Sequence, residues 1–292
     1  MKTSIENRIL FKNPEHQAFF DVNGYVVVDF LNDNEIASLK KLYDSLEGDL
    51  GEAAFASTIM SKSAIYRNAV SKGIGNHFER AMATIFEEVT FFWGNFNIKY
   101  PHQNIGIVPL HQDPSFLDER RFQPLGLWVP LLDTTLENGA LEVIPGSHHF
   151  LHFPRCGGAP FPFSTYQDAL LKEFGVSLPM KAGQIYIGSP ALFHASPTNK
   201  SQHPRIVAAG LAGPSESRLK YHFYNESESN NRADIFDVDQ NYYLSAPLFS
   251  RPNEKEYELV ESLVLEKQKV TKEMLFDYLS QFKIKKDHVT CE

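Results

Sequence analysis

The stretch LWVPLLDTTLENGALEVIPGSHH, residues 127–149, decides the fold class of this 292-residue chain. It holds two short apolar runs with the pair Asn138-Gly139 between them, and Pro145-Gly146 ends the second run. Such pairs form tight turns because glycine adopts a left-handed backbone and proline fixes φ. Short apolar runs bounded by turns are typical of β-strands.

The same pattern continues on both sides of this stretch. Candidate strands lie at about 91–99, 105–111, 124–132, 140–144, 183–188, 191–195, 205–212 and 218–224. Many short strands with frequent turn signals predict a β-sandwich, a barrel or a jelly roll. Residues 151–180 interrupt the series with Pro, Gly and Phe, so they form either packing material or a lid over a site. A short helix is predicted there at about 166–174.

Helices are predicted before the strand series. Residues 24–30 form a predicted strand, after which Asn32 and Glu35 have the spacing of a capping box for a helix over about 33–47. Apolar residues recur at helical spacing over about 76–89, which predicts a second helix.

The C-terminal part of the chain is also predicted to be helical, over about 253–283. Two apolar stripes carry this prediction: Leu259, Val260, Leu263 and Val264, then Met274, Leu275, Tyr278, Leu279 and Phe282. No change of composition divides the chain. We therefore expect one domain over 1–292, with a core at about 20–225 and this region as an extension.

Composition excludes several classes of protein. Hydrophobic residues make up 42% of the chain, which is enough for a sizeable core. A net charge of −8 argues against a nucleic-acid partner, which would require a basic surface. The first 16 residues lack the apolar centre of a signal peptide, and no apolar run approaches the ~18 residues of a membrane span. We expect a cytoplasmic protein without a membrane partner; the oligomeric state is left open.

A candidate metal site begins at His111-Gln112-Asp113. Residues two apart on a strand point to the same face, so His111 and Asp113 can chelate one ion while Gln112 faces away. His194 lies on another predicted strand. Two histidines and one carboxylate on one face of iron(II) leave three positions open, enough for 2-oxoglutarate at two and O₂ at the third.

A candidate anion site follows the second histidine. Residues 196–204 are rich in turn formers, so a hairpin would return Arg205 to the side of His194. A bidentate arginine suits the distal carboxylate of 2-oxoglutarate, and Ser196 would point the same way as His194. Each feature alone has a plain structural explanation, a surface charge for the arginine and a structural residue for the histidine. The combination, in this order and in a β-rich chain, is much more specific.

With these residues in place, the chain resembles the phytanoyl-CoA dioxygenase family of iron(II)- and 2-oxoglutarate-dependent enzymes over roughly 20–225. The segments that carry the resemblance are GYVVVDFLNDNEIASLKKL, PLHQD, LWVPLLDTTLENGALEVIPGSHH and HASPTNKSQHPR. The resemblance implies a mainly β fold with flanking helices, a double-stranded β-helix (a cupin-like jelly roll).

The resemblance also implies roles for individual residues. The positions that match the iron ligands are His111, Asp113 and His194. Those that match the groups around the co-substrate are Arg205 and Ser196, at its distal carboxylate, with Asn97 and Trp128. The implied reaction oxidises a C–H bond of a small molecule with O₂ and releases succinate and CO₂, with secondary metabolism as the favoured setting. A carboxylate at Asp113 favours hydroxylation, or another oxidation, over halogenation.

Two alternatives remain open at this point: a non-catalytic binding protein on the same scaffold, and a metal-dependent cupin that does not use 2-oxoglutarate. The acidic balance gives no support for a polyanionic CoA substrate. Candidate substrate contacts are Phe116, Arg120, Arg121, Phe161, Phe163 and Tyr166. Either arginine could pair with a substrate carboxylate, or be solvated surface.

Overall fold

Two facing antiparallel sheets form the centre of the molecule. The computed structural model of the chain describes residues 8–46, 48, 50, 53–102, 104–150, 154–226, 231–247, 249–265 and 270–282. Its α-helices are α1 Pro14–Asn23, α2 Asp33–Ser45, α3 Ala64–Ile85, α4 Gln167–Phe174, α5 Gln240–Ser245 and α6 Lys272–Leu279. Its strands are β1 Tyr25–Asp29, β2 Phe55–Ser57, β3 Val89–Lys99, β4 Val108–His111, β5 Leu125–Pro130, β6 Leu141–Val143, β7 Val176–Leu178, β8 Gln184–Gly188, β9 His194–Ser196, β10 Arg205–Pro214, β11 Lys220–Asn225, β12 Arg232–Asp237 and β13 Leu259–Val264.

The larger sheet has the strand order β1-β8-β5-β10-β3-β2, and the smaller sheet has the order β4-β9-β6-β7. All the strand pairs in both sheets are antiparallel. One cavity is lined by residues of both sheets, so the sheets face each other across it. This is the predicted jelly roll. A third, small sheet has the order β11-β12-β13.

Alternation along the strands of the larger sheet separates its two faces. In β3, Phe96 and Ile98 join the core beneath the helices, while Asn97 between them lines the cavity. In β5, Leu127 belongs to that core and Trp128 belongs to a second cluster between the sheets. Since side chains on a strand alternate between faces, one face packs against α2 and α3 and the other is left for a site.

The amino-terminal predictions are mostly confirmed, but α3 begins twelve residues earlier than expected. The capping box before α2 is present, with Asn32 Oδ1 accepting from Glu35 N at 3.1 Å and Glu35 Oε2 accepting from Asn32 N at 3.0 Å. Helix α3 begins at Ala64 rather than near 76, and includes Gly73. A Cβ at Gly73 would lie 2.5 Å from Leu42 of α2, so the glycine permits close helix packing and does not end the helix.

The predicted C-terminal helix is wrong over 259–264, because these residues form β13 on the edge of the small sheet. Ser262 explains the difference: its hydroxyl donates to Asp234 at 2.5 Å and accepts from Arg232 Nε at 2.8 Å, both on β12. The second stripe is helical as predicted, in α6. Residues 266–269 and 283–292 lie outside the described part. The single-domain boundaries stay a prediction.

The described part of the predicted insertion, residues 154–180, consists mainly of packing material, and Gly157 also lines the cavity between the sheets. Phe161 and Phe163 pack against Phe193, with ring centroids 5.1 and 5.8 Å away, and the same cluster holds Leu170 of α4 and Leu275 of α6. This segment therefore joins α6 to the smaller sheet. None of the described helices has the length and apolar character needed to cross a bilayer.

Candidate metal centre

Three potential metal ligands meet where β4 and β9 pair. His111 and His194 are register partners, and their ring centroids are 4.1 Å apart. Asp113 lies just beyond β4, fixed by its backbone N–H donating to Pro190 O at 2.9 Å. Its two carboxylate oxygens lie 3.8 Å from His111 Nε2 and 3.8 Å from His194 Nε2. One ligand atom from each residue falls within 4.8 Å of the others.

The backbone sets the tautomer of both histidines. His111 Nδ1 donates to Pro109 O at 2.8 Å, and His194 Nδ1 donates to Leu192 O at 2.9 Å. Each ring therefore carries its proton on Nδ1 and turns the lone pair of Nε2 toward Asp113. Burial, reinforced by the neighbouring His194, lowers the pKa of His111 to about 4. Two imidazole Nε2 atoms and one carboxylate fit a divalent transition metal of the iron(II) type.

A register shift in β4 and an anchoring amide hold this arrangement. The shift falls between Val108 and His111, where β4 pairs with β9. Gln112 faces away from the cluster, as the alternation predicts, and its amide donates to Ala191 O at 2.6 Å. The loop before His194 is thereby attached to the strand that carries His111.

A buried cation lies in the same cavity. Arg205, the first residue of β10, is 3% exposed, and its Nη1 donates to Ser196 Oγ at 3.1 Å and to Gly139 O. Its guanidinium lies 5.2 Å from the ring centroid of Trp128. Burial lowers the pKa of Arg205 to about 10, so it remains charged at neutral pH. No carboxylate pairs with it among the described residues, and its buried Nε lacks an acceptor there. A buried cation without a counter-charge is unfavourable, so this position favours the binding of an anionic ligand.

Lys99 belongs to this cluster and was missed by the sequence analysis. It is fully buried at the end of β3, opposite Arg205 in register, and its Nζ donates to Ser196 Oγ at 2.7 Å and to Ser196 O at 2.9 Å. Burial, together with the Arg205 charge, lowers the pKa of Lys99 to about 7. The sequence did contain an indication that Lys99 belongs to the site. Lys99 lies two residues after Asn97, so the two side chains are on the same face of a strand.

Gly139 ties the turn after β5 to this cluster. Its carbonyl accepts from Arg205 Nη1 and from Ser196 Oγ, the latter at 2.9 Å. Its φ is +82°, and a Cβ would lie 2.6 Å from Pro197 O. The Asn138-Gly139 turn was predicted to be purely architectural, but the glycine carbonyl also orients the cationic group.

Gly139→Ala is expected to lower the free energy of unfolding by about 1–3 kcal/mol, because a non-glycine residue is strained at this φ and its Cβ would press on Pro197. Chemical denaturation would measure it. Gly158→Ala is the matched control: its φ is +84°, but the nearest atom to a Cβ is 3.9 Å away, on Phe249. Equal losses in the two variants would show that the close approach to Pro197 is unimportant.

Asn97 and Trp128, the remaining predicted co-substrate residues, both line the cavity. Asn97 Oδ1 accepts from Asn95 Nδ2 at 2.8 Å. The cavity has a volume of about 500 Å³ and contains the three potential metal ligands as well as Arg205 and Ser196. The structure thus brings all seven predicted site residues to one cavity.

Most of the predicted substrate contacts do not reach this cavity. Phe116 lines it, but Phe161, Phe163 and Tyr166 are in the packing cluster of the 154–180 segment. Arg120 pairs with Asp118 at 2.7 Å and with Glu261 at 2.9 Å, and neither Arg120 nor the exposed Arg121 lines the cavity. The partner Glu261 lies on β13, a strand that the sequence analysis assigned to a helix.

Comparison with known proteins places this site in a family. The model of the phytanoyl-CoA dioxygenase (PhyH) family matches residues 20–207, more than half of the chain. Mouse phytanoyl-CoA dioxygenase domain-containing protein 1 is 35% identical over 114 residues, covering 37% of this chain and 39% of that protein. An Arabidopsis thaliana phytanoyl-CoA dioxygenase is 40% identical over 105 residues, covering 34% and 35%. The chain thus spans less than two fifths of the length of these curated relatives.

Solved structures agree on the fold. SnoK, a non-haem α-ketoglutarate-dependent carbocyclase from nogalamycin biosynthesis, has a TM-score of 0.51 at 16% identity, covering 71% of this chain and 86% of SnoK. HygX from Streptomyces hygroscopicus, solved with nickel and 2-oxoglutarate bound, has a TM-score of 0.51 at 15% identity, covering 70% and 88%. The likeness confirms the jelly roll. Because the family model extends from before β1 to within β10, and so spans both halves of the candidate metal cluster, the chain belongs to the phytanoyl-CoA dioxygenase family.

Proposed function

We propose that the protein is an iron(II)- and 2-oxoglutarate-dependent oxygenase that hydroxylates, or otherwise oxidises, a C–H bond of a small molecule. One observation carries the proposal: the His111, Asp113 and His194 cluster shares a cavity with the buried cation Arg205. A metal site alone would suit any cupin. A metal site together with a buried, carboxylate-free arginine suits a chelating ligand that has a second carboxylate.

The three clustered side chains would hold the metal on one face through His111 Nε2, His194 Nε2 and an oxygen of Asp113. When bound, iron with 2-oxoglutarate and O₂ supplies the oxidation of the substrate C–H bond, as the co-substrate becomes succinate and CO₂. The chain's own task is placement and exclusion of water. The two Nδ1–H···O=C bonds fix the tautomer and the orientation of both imidazoles before any ligand arrives.

Arg205 and Ser196 would orient 2-oxoglutarate through its distal carboxylate. Lys99 also donates to the Ser196 hydroxyl, and the Trp128 ring lies against the guanidinium of Arg205. In such a dry site each charge-assisted hydrogen bond is stronger than at the surface. Asn97, on the same wall, is proposed to contact the co-substrate as well. The secondary-metabolic setting and the cytoplasmic location stay predictions.

Anaerobic titration of the purified protein with iron(II) and 2-oxoglutarate tests the proposal. We expect a weak visible charge-transfer band that requires both additions, followed by succinate formation when O₂ is admitted. Iron binding without the band, and without 2-oxoglutarate binding, would favour the cupin alternative. Formation of the band without any succinate in air would favour the non-catalytic binding protein.

A further inference from the structure

The cavity continues beyond the metal cluster into a region that we call the aromatic end, formed by Trp93, Phe116, Tyr221, Tyr242, Tyr243 and Phe249. Trp93 stacks on Tyr243 with ring centroids 4.2 Å apart and planes at 18°, and meets Phe116 edge-on at 5.3 Å. Tyr221 packs on Tyr242 at 4.8 Å. Packed aromatic rings form a rigid apolar wall with faces and edges available to a further ring.

The cavity offers almost no charge to a substrate. Of the described residues that line it, Asp113 and Arg205 alone are Asp, Glu, Lys or Arg. Asp113 belongs to the metal cluster, and Arg205 lies at the co-substrate end. A carboxylate, phosphate or ammonium group placed at the aromatic end would therefore lose its water without gaining a counter-charge, which is strongly unfavourable.

The arginines near this end are engaged elsewhere. Arg155 makes a bidentate pair with Glu119, at 2.6 and 2.7 Å, and both side chains are about nine-tenths buried. Arg251 pairs with Asp234 and with Glu254. These pairs stabilise the loops around the aromatic end and leave its wall without a cation for an anionic substrate.

The hydroxyl groups of the aromatic end are also largely committed. Tyr242 donates to Ser250 O at 2.8 Å and Tyr243 donates to Lys220 O, so both present rings rather than donors. The buried Tyr221 hydroxyl makes no hydrogen bond of ordinary length to a described residue, although the Tyr242 hydroxyl is close enough to interact with it. His222 Nδ1 donates to Ser115 O at 2.6 Å. Of these groups, the Tyr221 hydroxyl is the polar contact that the apolar wall offers to a ligand.

From these observations we infer that the aromatic end binds an uncharged, largely apolar, ring-containing molecule with a hydroxyl or carbonyl group that hydrogen-bonds to Tyr221. This substrate class rests on the proposed oxygenase function, since it assigns the remaining part of the same cavity. It excludes zwitterionic solutes within the aromatic end, because the wall cannot pair their charges.

Isothermal titration calorimetry with three probes of one skeleton tests the inference. The probes are 2-naphthylmethanol, which is uncharged, 2-naphthoate and 2-naphthylmethylammonium. We expect the uncharged probe to bind about tenfold tighter, or more, than either ion. Equal binding, tighter binding of either ion, or no binding of the uncharged probe would overturn the inference.

Substitutions locate the probe and change its selectivity. Met60 lines the cavity and is 59% exposed, so Met60→Lys should add a cation at the cavity and tighten 2-naphthoate several-fold. Ile65 is 86% exposed and outside the cavity, so Ile65→Lys should leave 2-naphthoate binding unchanged. Tyr221→Phe should weaken 2-naphthylmethanol roughly fivefold but spare naphthalene, since it removes one hydrogen bond. Unchanged 2-naphthoate binding in Met60→Lys would place the probe elsewhere.

The two tryptophans separate this inference from the proposed function. Trp93 lies at the aromatic end and Trp128 beside Arg205, and the chain has no other tryptophan. Trp128→Phe leaves the indole N–H of Trp93 as the single indole resonance in the proton NMR spectrum, and this resonance should shift when 2-naphthylmethanol binds without added metal. If the probes discriminate charge but iron and 2-oxoglutarate do not bind, the oxygenase proposal fails alone. If iron and 2-oxoglutarate bind but charge is not discriminated, the inference fails alone.

Discussion

Replacing His194 with alanine is expected to lower the affinity for iron(II) by roughly 100-fold or more and to abolish succinate formation, because one of three protein ligands is lost. The remaining pair, His111 and Asp113, lies on one strand and its end, and it cannot complete the face that His194 closes from β9. Titration against a chromophoric chelator would measure the iron affinity.

His203→Ala is the control for this change, since His203 is an exposed histidine in the connection between β9 and β10 and outside the cluster. It should retain native iron affinity and turnover. Circular dichroism should show that both variants are folded, because His194 donates only to the carbonyl of Leu192 and its loss leaves the strand pairing intact. Native iron affinity in His194→Ala would mean that the metal uses different ligands.

Short-range patterns explain why so much of the site could be predicted. The spacing of His111 and Asp113 needed only the two-residue period of a strand. The turn formers between His194 and Arg205 predicted a chain reversal that returns the arginine to the same cavity, which is confirmed, but the predicted hairpin is wrong: β9 belongs to the smaller sheet and β10 to the larger one, so the turn crosses between the sheets. These are local properties of the chain, and local properties are visible in one sequence.

Long-range pairing explains what could not be predicted. Lys99 became part of the site because β10 places Arg205 opposite it, a contact across more than a hundred residues. Arg120 was predicted as a candidate substrate contact, but it pairs with Glu261, which is distant in sequence and lies on the edge strand β13. The apolar residues at 259–264 have a spacing that fits either a helix or a strand, and they form a strand because they pair with β12.

The two ends of the cavity differ in the charge that they offer to a ligand. The end proposed to bind the co-substrate holds the charged Arg205, which donates to Ser196 beside Lys99. Around the aromatic end the charged side chains pair with one another, and the wall itself consists of aromatic rings. A doubly charged co-substrate and an uncharged substrate would therefore each be directed to one end, with the metal cluster between them.

Arg205→Met is expected to weaken 2-oxoglutarate binding by about 100-fold, close to 3 kcal/mol, because it removes charge-assisted hydrogen bonds in a buried site while keeping an apolar contact with Trp128. Iron(II) affinity should stay native, since the hydrogen bonds of Arg205 within the described part of the chain go to Gly139 and Ser196 and not to the three ligands. The measurement is the rise in melting temperature that 2-oxoglutarate produces in the iron-loaded, anaerobic protein. That rise should be large in the native chain and nearly absent in the variant, because a ligand stabilises only the state that binds it.

Arg121→Met removes the same charge from an exposed position outside the cavity, so it should keep the native thermal shift. A further comparison distinguishes loss of binding from loss of folding: Arg205→Met should still gain stability from iron(II) alone, because the His111, Asp113 and His194 cluster is unchanged. If Arg205→Met keeps the full 2-oxoglutarate shift, the buried cation does not hold the distal carboxylate. The cavity would then be a metal site of the cupin type, with Arg205 serving only to join Gly139 and Ser196.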